Sequence, residues 1–200
     1  MDSGIPPGDS LRLFLAVPAP ASLSARLHSL LDELKADTWS LRPTEPDDLH
    51  LTLHFLGATP ARLVDDLKRE IGAVCHARRP FDLEAGGLGC FPDDVRPRIV
   101  WAGVRDGSGK LRDLFQATRH ALQAYRLFAL PGDFVPHLTL ARVDRLSAAW
   151  DPRLLRGLAP QWADLGDFPV EEVRLMRSRE GSKDGPRYEV LASLGLGGQG

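Results

Sequence analysis

The tetrapeptide His-Leu-Thr-Leu occurs twice in this chain, at residues 50–53 and again at 137–140. Repetition alone says little, because average residue usage gives roughly one chain in four of this length some repeated tetrapeptide by accident. What constrains the fold is the setting. Each copy lies in a stretch with strand character, and each occupies a similar place in one half of the chain. A strand sends successive side chains to opposite faces. His50, Thr52 and His54 are therefore expected on one face, with Leu51, Leu53 and Phe55 on the other. His137 and Thr139 are expected together, with Leu138 and Leu140 opposed. The leucines would anchor both strands to a core, and each strand would display an imidazole and a hydroxyl. If the halves form similar lobes, the two pairs can meet across a cleft.

Around these strands the apolar pattern predicts short strands and amphipathic helices in the order β-α-β-α-β-β-α-β-(α)-β-β. Strands are expected at 11–17, 49–56, 81–88, 99–104, 137–143, 168–176 and 188–194. Helices are expected at 21–36, from Pro60 through Val74, and at 111–127, with a short helical turn at 152–157. Strands that follow one another without a helix favour antiparallel or mixed sheets, hence an α+β fold rather than a doubly wound one. Residues 11–194 are read as a single domain, with flexible ends at 1–10 and 195–200.

Several function classes are excluded. There is no GxGxxG between a strand and a helix and no GxxxxGK[ST], so neither dinucleotide nor P-loop chemistry has its phosphate cradle. His50 and His54 share the i, i+4 spacing of a zinc protease, but on a strand that spacing sets the rings about 13 Å apart. Leu51 also stands where that motif requires Glu. A metal site is therefore not expected. The net charge of −2 gives no signature of a protein that coats duplex nucleic acid, although basic residues gather at Arg96–Arg119 and Arg174–Arg187, as a local anion patch would require. Cys75 and Cys90 are too few for a disulfide framework and are read as buried or semi-buried thiols. No signal peptide or membrane span is visible, and a cytoplasmic monomer is expected.

The two His-x-Thr-x motifs resemble those of the 2H phosphoesterase superfamily. Within it the chain is most similar to the bacterial and archaeal RNA 2′,3′-cyclic phosphodiesterases, historically called 2′-5′ RNA ligases. The first motif is Asp48-Leu-His-Leu-Thr-Leu-His-Phe-Leu-Gly57 and the second Pro136-His-Leu-Thr-Leu-Ala-Arg142. Arg12–Ala16 matches the opening strand of that family, Gly89–Pro92 with Arg98–Val104 its middle hairpin, and Gly185–Tyr188 its closing strand. One departure is visible: relatives often carry Lys or Arg at the position of His54.

The resemblance implies a bilobal fold of two pseudo-twofold-related antiparallel lobes, with helices outside and a central cleft. It implies cofactor-free hydrolysis of a 2′,3′-cyclic phosphate at an RNA 3′ end, or of a nucleoside 2′,3′-cyclic phosphate, to a 2′-phosphomonoester. It makes His50 the proton donor and His137 the proton acceptor. Two imidazoles with ordinary pKa values near 6.5 suit those tasks, and a bell-shaped pH profile around neutrality is expected. Thr52 and Thr139 would hold the phosphate, and Arg142 would reinforce them. Strand parity places Arg142 opposite His137, so it reaches the phosphate only if the strand ends or bulges there. Phe14 and Phe91 are candidates to stack a base, and Arg12, on the face of Phe14, to meet a phosphate. An RNA-end binding module, or an enzyme acting on 2′-5′ linked oligonucleotides or other cyclic phosphates, would use the same residues.

Overall fold

The computed structural model describes residues 10–33, 39–125, 134–146, 152–179 and 187–198. It contains β1 (Ser10–Pro18), α1 (Ala21–Glu33), β2 (Trp39–Pro43), β3 (His50–Pro60), α2 (Val64–His76), β4 (Phe81–Phe91), β5 (Ile99–Arg105), α3 (Lys110–Leu122), β6 (His137–Leu146), α4 (Arg153–Leu158), β7 (Gly166–Val170), β8 (Glu172–Ser178) and β9 (Tyr188–Gly195). The α+β expectation holds. Among the described residues no helix is long and apolar enough to cross a membrane.

All pairings are antiparallel, in the order β7-β4-β5-β6-β3-β1-β8-β9, with β2 added to β6. The strands that carry the repeat stand at the centre of this order. β3 and β6 touch through the single pair Leu51↔Leu138, and then β6 takes β2 as its neighbour instead. A sheet that splits at its middle leaves a cleft between its halves. On one side lie β3, β1, β8 and β9, and on the other β6, β5, β4 and β7, the two lobes that the repeat implies. One residue, Glu171, separates β7 from β8, so the two ends of the strand order are drawn together and the sheet is strongly curled.

The leucines of the repeat do what alternation requires. Leu51, Leu53, Leu138 and Leu140 are all buried in one large core. Each such side chain contributes roughly 1.5–3 kcal/mol of transfer free energy. The helices close that core with stripes at helical spacing: Leu67, Ile71 and Cys75 on α2, and Leu111, Leu114, Thr118 and Leu122 on α3. Burial pushes the Cys75 thiol up to about 11 and that of Cys90 to about 12, so both remain protonated thiols.

Three expectations need correction or limits. The sequence pattern gives no sign of β2, since Trp39–Pro43 is short and owes its strand form to its partner β6. The strand expected at 168–176 is two strands, β7 pairing with β4 and β8 pairing with β1, because the chain crosses from one lobe to the other at Glu171. The tail expected to be loose from Gly195 is packed through Gly198. Leu196 is buried and its amide donates to the Glu171 carbonyl (2.7 Å), while the Gly198 amide donates to the Arg78 carbonyl (3.0 Å). Glycine here allows close approach, since a Cβ on Gly198 would lie 3.0 Å from the Arg78 backbone. At the other end, Ser10 pairs with Pro60 in β1. The rest of the expected flexible segment 1–10, the end of the helix expected at 21–36, Gly185 and Pro186 lie outside the described residues.

Candidate active site

Both repeat strands bulge at their fourth residue. On β3, Thr52 pairs with Ala16 but His54 pairs with Leu15, so Leu53 is the extra residue. On β6, Thr139 pairs with Trp101 but Ala141 pairs with Val100, so Leu140 is the extra residue. A one-residue bulge reverses the faces of everything that follows. Arg142 is thereby turned onto the face of Thr139, which meets the condition set for it to reach a phosphate.

The same slip corrects the first strand. His54, expected beside His50 and Thr52, shares the face of Leu15 instead. It stacks on Phe115 of α3 with ring centroids 4.5 Å apart, and its Nε2 lies 2.9 Å from the Thr118 hydroxyl and 3.1 Å from the Phe115 carbonyl. Burial lowers its pKa to about 4. Phe55, expected on the face of Leu51 and Leu53, faces the cleft instead and is 60% exposed.

A cavity of about 870 Å³ runs along this face. Of the candidate residues, Arg12, Phe14, His50, Thr52, Thr139 and Arg142 line it. His137 and Phe91 do not. They pack on each other instead, ring centroids 5.0 Å apart and edge to face, beside the Trp101 indole. Gly89 has no side chain because Trp101, its cross-strand partner, occupies the space a Cβ would need. His137 is nonetheless near enough to His50 for the charge of one to oppose protonation of the other.

The two imidazoles are held alike. His50 Nδ1 donates to the Asp48 carbonyl (2.6 Å) and His137 Nδ1 to the Val135 carbonyl (2.7 Å), each two residues upstream. A carbonyl only accepts, so the hydrogen sits on Nδ1 and Nε2 is left to accept or deliver a proton. An aromatic ring braces each imidazole: Phe14 at 5.0 Å from His50, and Phe91 at 5.0 Å from His137. Phe14 is itself only 3% exposed, wedged among His50, Phe55 and Tyr188. Its ring therefore has little face left for a base, and Phe55 offers the open one. Burial pushes the pKa of both histidines down, and the carbonyl bonds oppose that shift. For His50 the neighbouring His137 lowers it further.

Sequence reasoning assigns no role to Tyr188 or Asp48 and counts Arg187 only within a basic stretch; all three line the cavity. Tyr188 meets His50 edge to face at 5.3 Å, and the Arg187 guanidinium lies 5.7 Å from the centroid of the Tyr188 ring. The Arg-Tyr pair belongs to the closing-strand motif already visible in the sequence, but only the order β1-β8-β9 brings it beside His50. The Asp48 carboxyl is raised by burial and held back by Arg187. Among the described residues no group of three His, Cys, Asp or Glu side chains converges as metal ligands.

The sequence model of the 2′-5′ RNA ligase superfamily matches residues 19–182. The chain is 34% identical over 164 residues to an Aquifex aeolicus protein named RNA 2′,3′-cyclic phosphodiesterase, covering 77% of this chain and 81% of the relative. A crystal structure of a Thermus thermophilus protein superposes with a TM-score of 0.78 at 28% identity, covering 95% of this chain and 100% of that one. The Escherichia coli protein LigT, crystallised with 3′-AMP, superposes with a TM-score of 0.75 at 26% identity, covering 94% and 99%. On its sequence match, its fold and its paired histidine–threonine strands, this chain belongs to the 2′-5′ RNA ligase superfamily.

Proposed function

We propose that the protein hydrolyses 2′,3′-cyclic phosphates at RNA 3′ ends to 2′-phosphomonoesters without a metal ion. Water attacks phosphorus and gives its proton to His137 Nε2. The bond from phosphorus to the 3′-oxygen breaks, and His50 Nε2 delivers a proton to that oxygen. Thr52 and Thr139 donate to the phosphoryl oxygens, and Arg142 offsets the charge that builds there. Phe55 gives an exposed aromatic face for the terminal base.

The observation that carries this reading is the matched pair of imidazoles, each with Nδ1–H spent on a backbone carbonyl and each followed by a threonine on the same face. Binding alone needs no second proton-transfer group, so the pairing favours turnover over an RNA-end binding module. The relatives named RNA 2′,3′-cyclic phosphodiesterase support the substrate. The test is an RNA oligonucleotide with a 2′,3′-cyclic end, incubated with enzyme in excess chelator. A 2′-phosphomonoester is expected as the sole product. Activity abolished by chelator, a 3′-phosphomonoester product, or binding without turnover would each overturn the proposal.

A further inference from the structure

We infer that the outer half of the cleft, built on Arg12 and Arg187, binds the phosphate on the 5′ side of the terminal nucleotide, so that RNA ends are preferred over isolated nucleoside 2′,3′-cyclic phosphates. This rests on the function proposed above and adds a second anion site to it.

The cleft has two distinct halves. The inner half holds His50, Thr52, Thr139 and Arg142. The outer half is set by strand register: Arg12 of β1, Ser178 of β8 and Tyr188 of β9 stand in one row across three strands. That row is four residues along β1 from Ala16, the partner of Thr52, or about 13 Å at strand rise. Arg12 and Arg187 are both exposed and both line the cavity. The Arg187 guanidinium lies against Tyr188, and Tyr188 lies against His50. Arg187 is thus one aromatic ring further out than the imidazole, where the next phosphate of a chain would fall.

Glu45, Asp47 and Asp48 also line the cavity, and Asp48 lies near enough to Arg187 for the guanidinium to hold its carboxyl pKa back. At about 870 Å³ the cavity also lies toward the upper end of the range for small-ligand pockets, about 300–1,000 Å³.

Three probes test this: cytidine 2′,3′-cyclic phosphate, its 5′-phosphorylated form, and the dinucleotide CpC ending in a 2′,3′-cyclic phosphate. The 5′-phosphate alone should raise kcat/KM about tenfold or more, as expected for charge-assisted hydrogen bonds, and the gain should shrink as salt is added. R187Q and R12Q should each lower the ratio of phosphorylated to unphosphorylated substrate, whereas R187K should keep much of it. Equal kcat/KM for the first two probes would overturn the inference and leave the proposed hydrolysis standing. So would a gain that appears only with the dinucleotide, or a ratio unchanged in both glutamine variants. No turnover of any probe would instead remove the proposed function itself.

Discussion

β3 and β6 carry the same four residues and the same bulge, yet they contribute different things to the cleft. Up to the bulge they are interchangeable: an imidazole pinned by a carbonyl two residues upstream, a leucine in the core, and a threonine on the open face. After it they diverge. The second residue past the bulge is Phe55 on β3 and Arg142 on β6, so one lobe presents an aromatic surface and the other a cation. The residue between is His54 on one strand and Ala141 on the other, both turned to the core side. In the proposed complex the terminal base would lie against Phe55, and the cyclic phosphate between the threonines of both lobes beside Arg142. In the proposed reaction the repeated motif supplies two proton-transfer groups, and the differing residues after the bulge give the cleft two chemically different sides.

The largest break in the comparison separates His50 from His54, two histidines on one strand. H50A and H137A should each lower kcat/KM by about two orders of magnitude or more. In the intact enzyme both imidazoles are pushed below their ordinary value by burial. The bell-shaped profile of kcat/KM should therefore centre on the acid side of neutrality, and its two limbs belong to the pair rather than to either residue. A profile centred at or above neutrality would contradict the burial of the site.

His54 should show its effect in stability instead. Its folded pKa of about 4 lies below the unfolded value of 6.5, so the unfolded chain takes up its proton first. The stabilising contribution is whole above the unfolded pKa and is lost as pH falls through the folded one, roughly 3 kcal/mol across that window. H54Q should remove this part of the pH dependence, seen as a smaller drop in unfolding free energy between pH 7 and pH 4 in denaturant titrations. An unchanged drop would mean that His54 takes up its proton as readily in the fold as in the unfolded chain.

The threonines sharpen the symmetry. T52V and T139V each remove one hydroxyl donor from a charged phosphoryl group while keeping the β-branch and the strand form. Each should cost roughly 1.5–3 kcal/mol of transition-state stabilisation, a factor of about 10 to 150 in rate, with the shape of the pH profile preserved. Similar penalties are expected at both positions. A large loss at one and none at the other would show that only one strand holds the phosphate.

Much of this is legible in the sequence, because period-two alternation is strict until something interrupts it. His50, Thr52, His137 and Thr139 precede the bulges, and alternation places all four correctly against their leucines. Phe55 and His54 follow a bulge, and alternation puts them on the wrong faces. Arg142 can be placed only conditionally, for the same reason. A bulge is a property of two paired strands, and nothing within His-Leu-Thr-Leu announces that Leu53 or Leu140 will go unpaired. Tyr188 escapes for a related reason: it meets His50 across β8 and β1, neighbours set by sheet order rather than by sequence distance. Gly197 and Gly198 read as slack but serve as points of close contact with His76 and Arg78.

In the proposed reaction two equivalent strands perform opposite proton transfers, and the leaving group offers the most direct test of which strand performs which. A substrate with sulfur in place of the 3′-oxygen of the cyclic phosphate expels a thiolate, which needs no proton from the enzyme. Single-turnover rates on the oxygen and sulfur substrates would be compared for the wild type, H50A and H137A. With His50 as donor and His137 as acceptor, H50A should recover most of its lost rate on the sulfur substrate, while H137A stays equally impaired on both. Recovery by H137A instead, or by neither variant, would contradict the assignment.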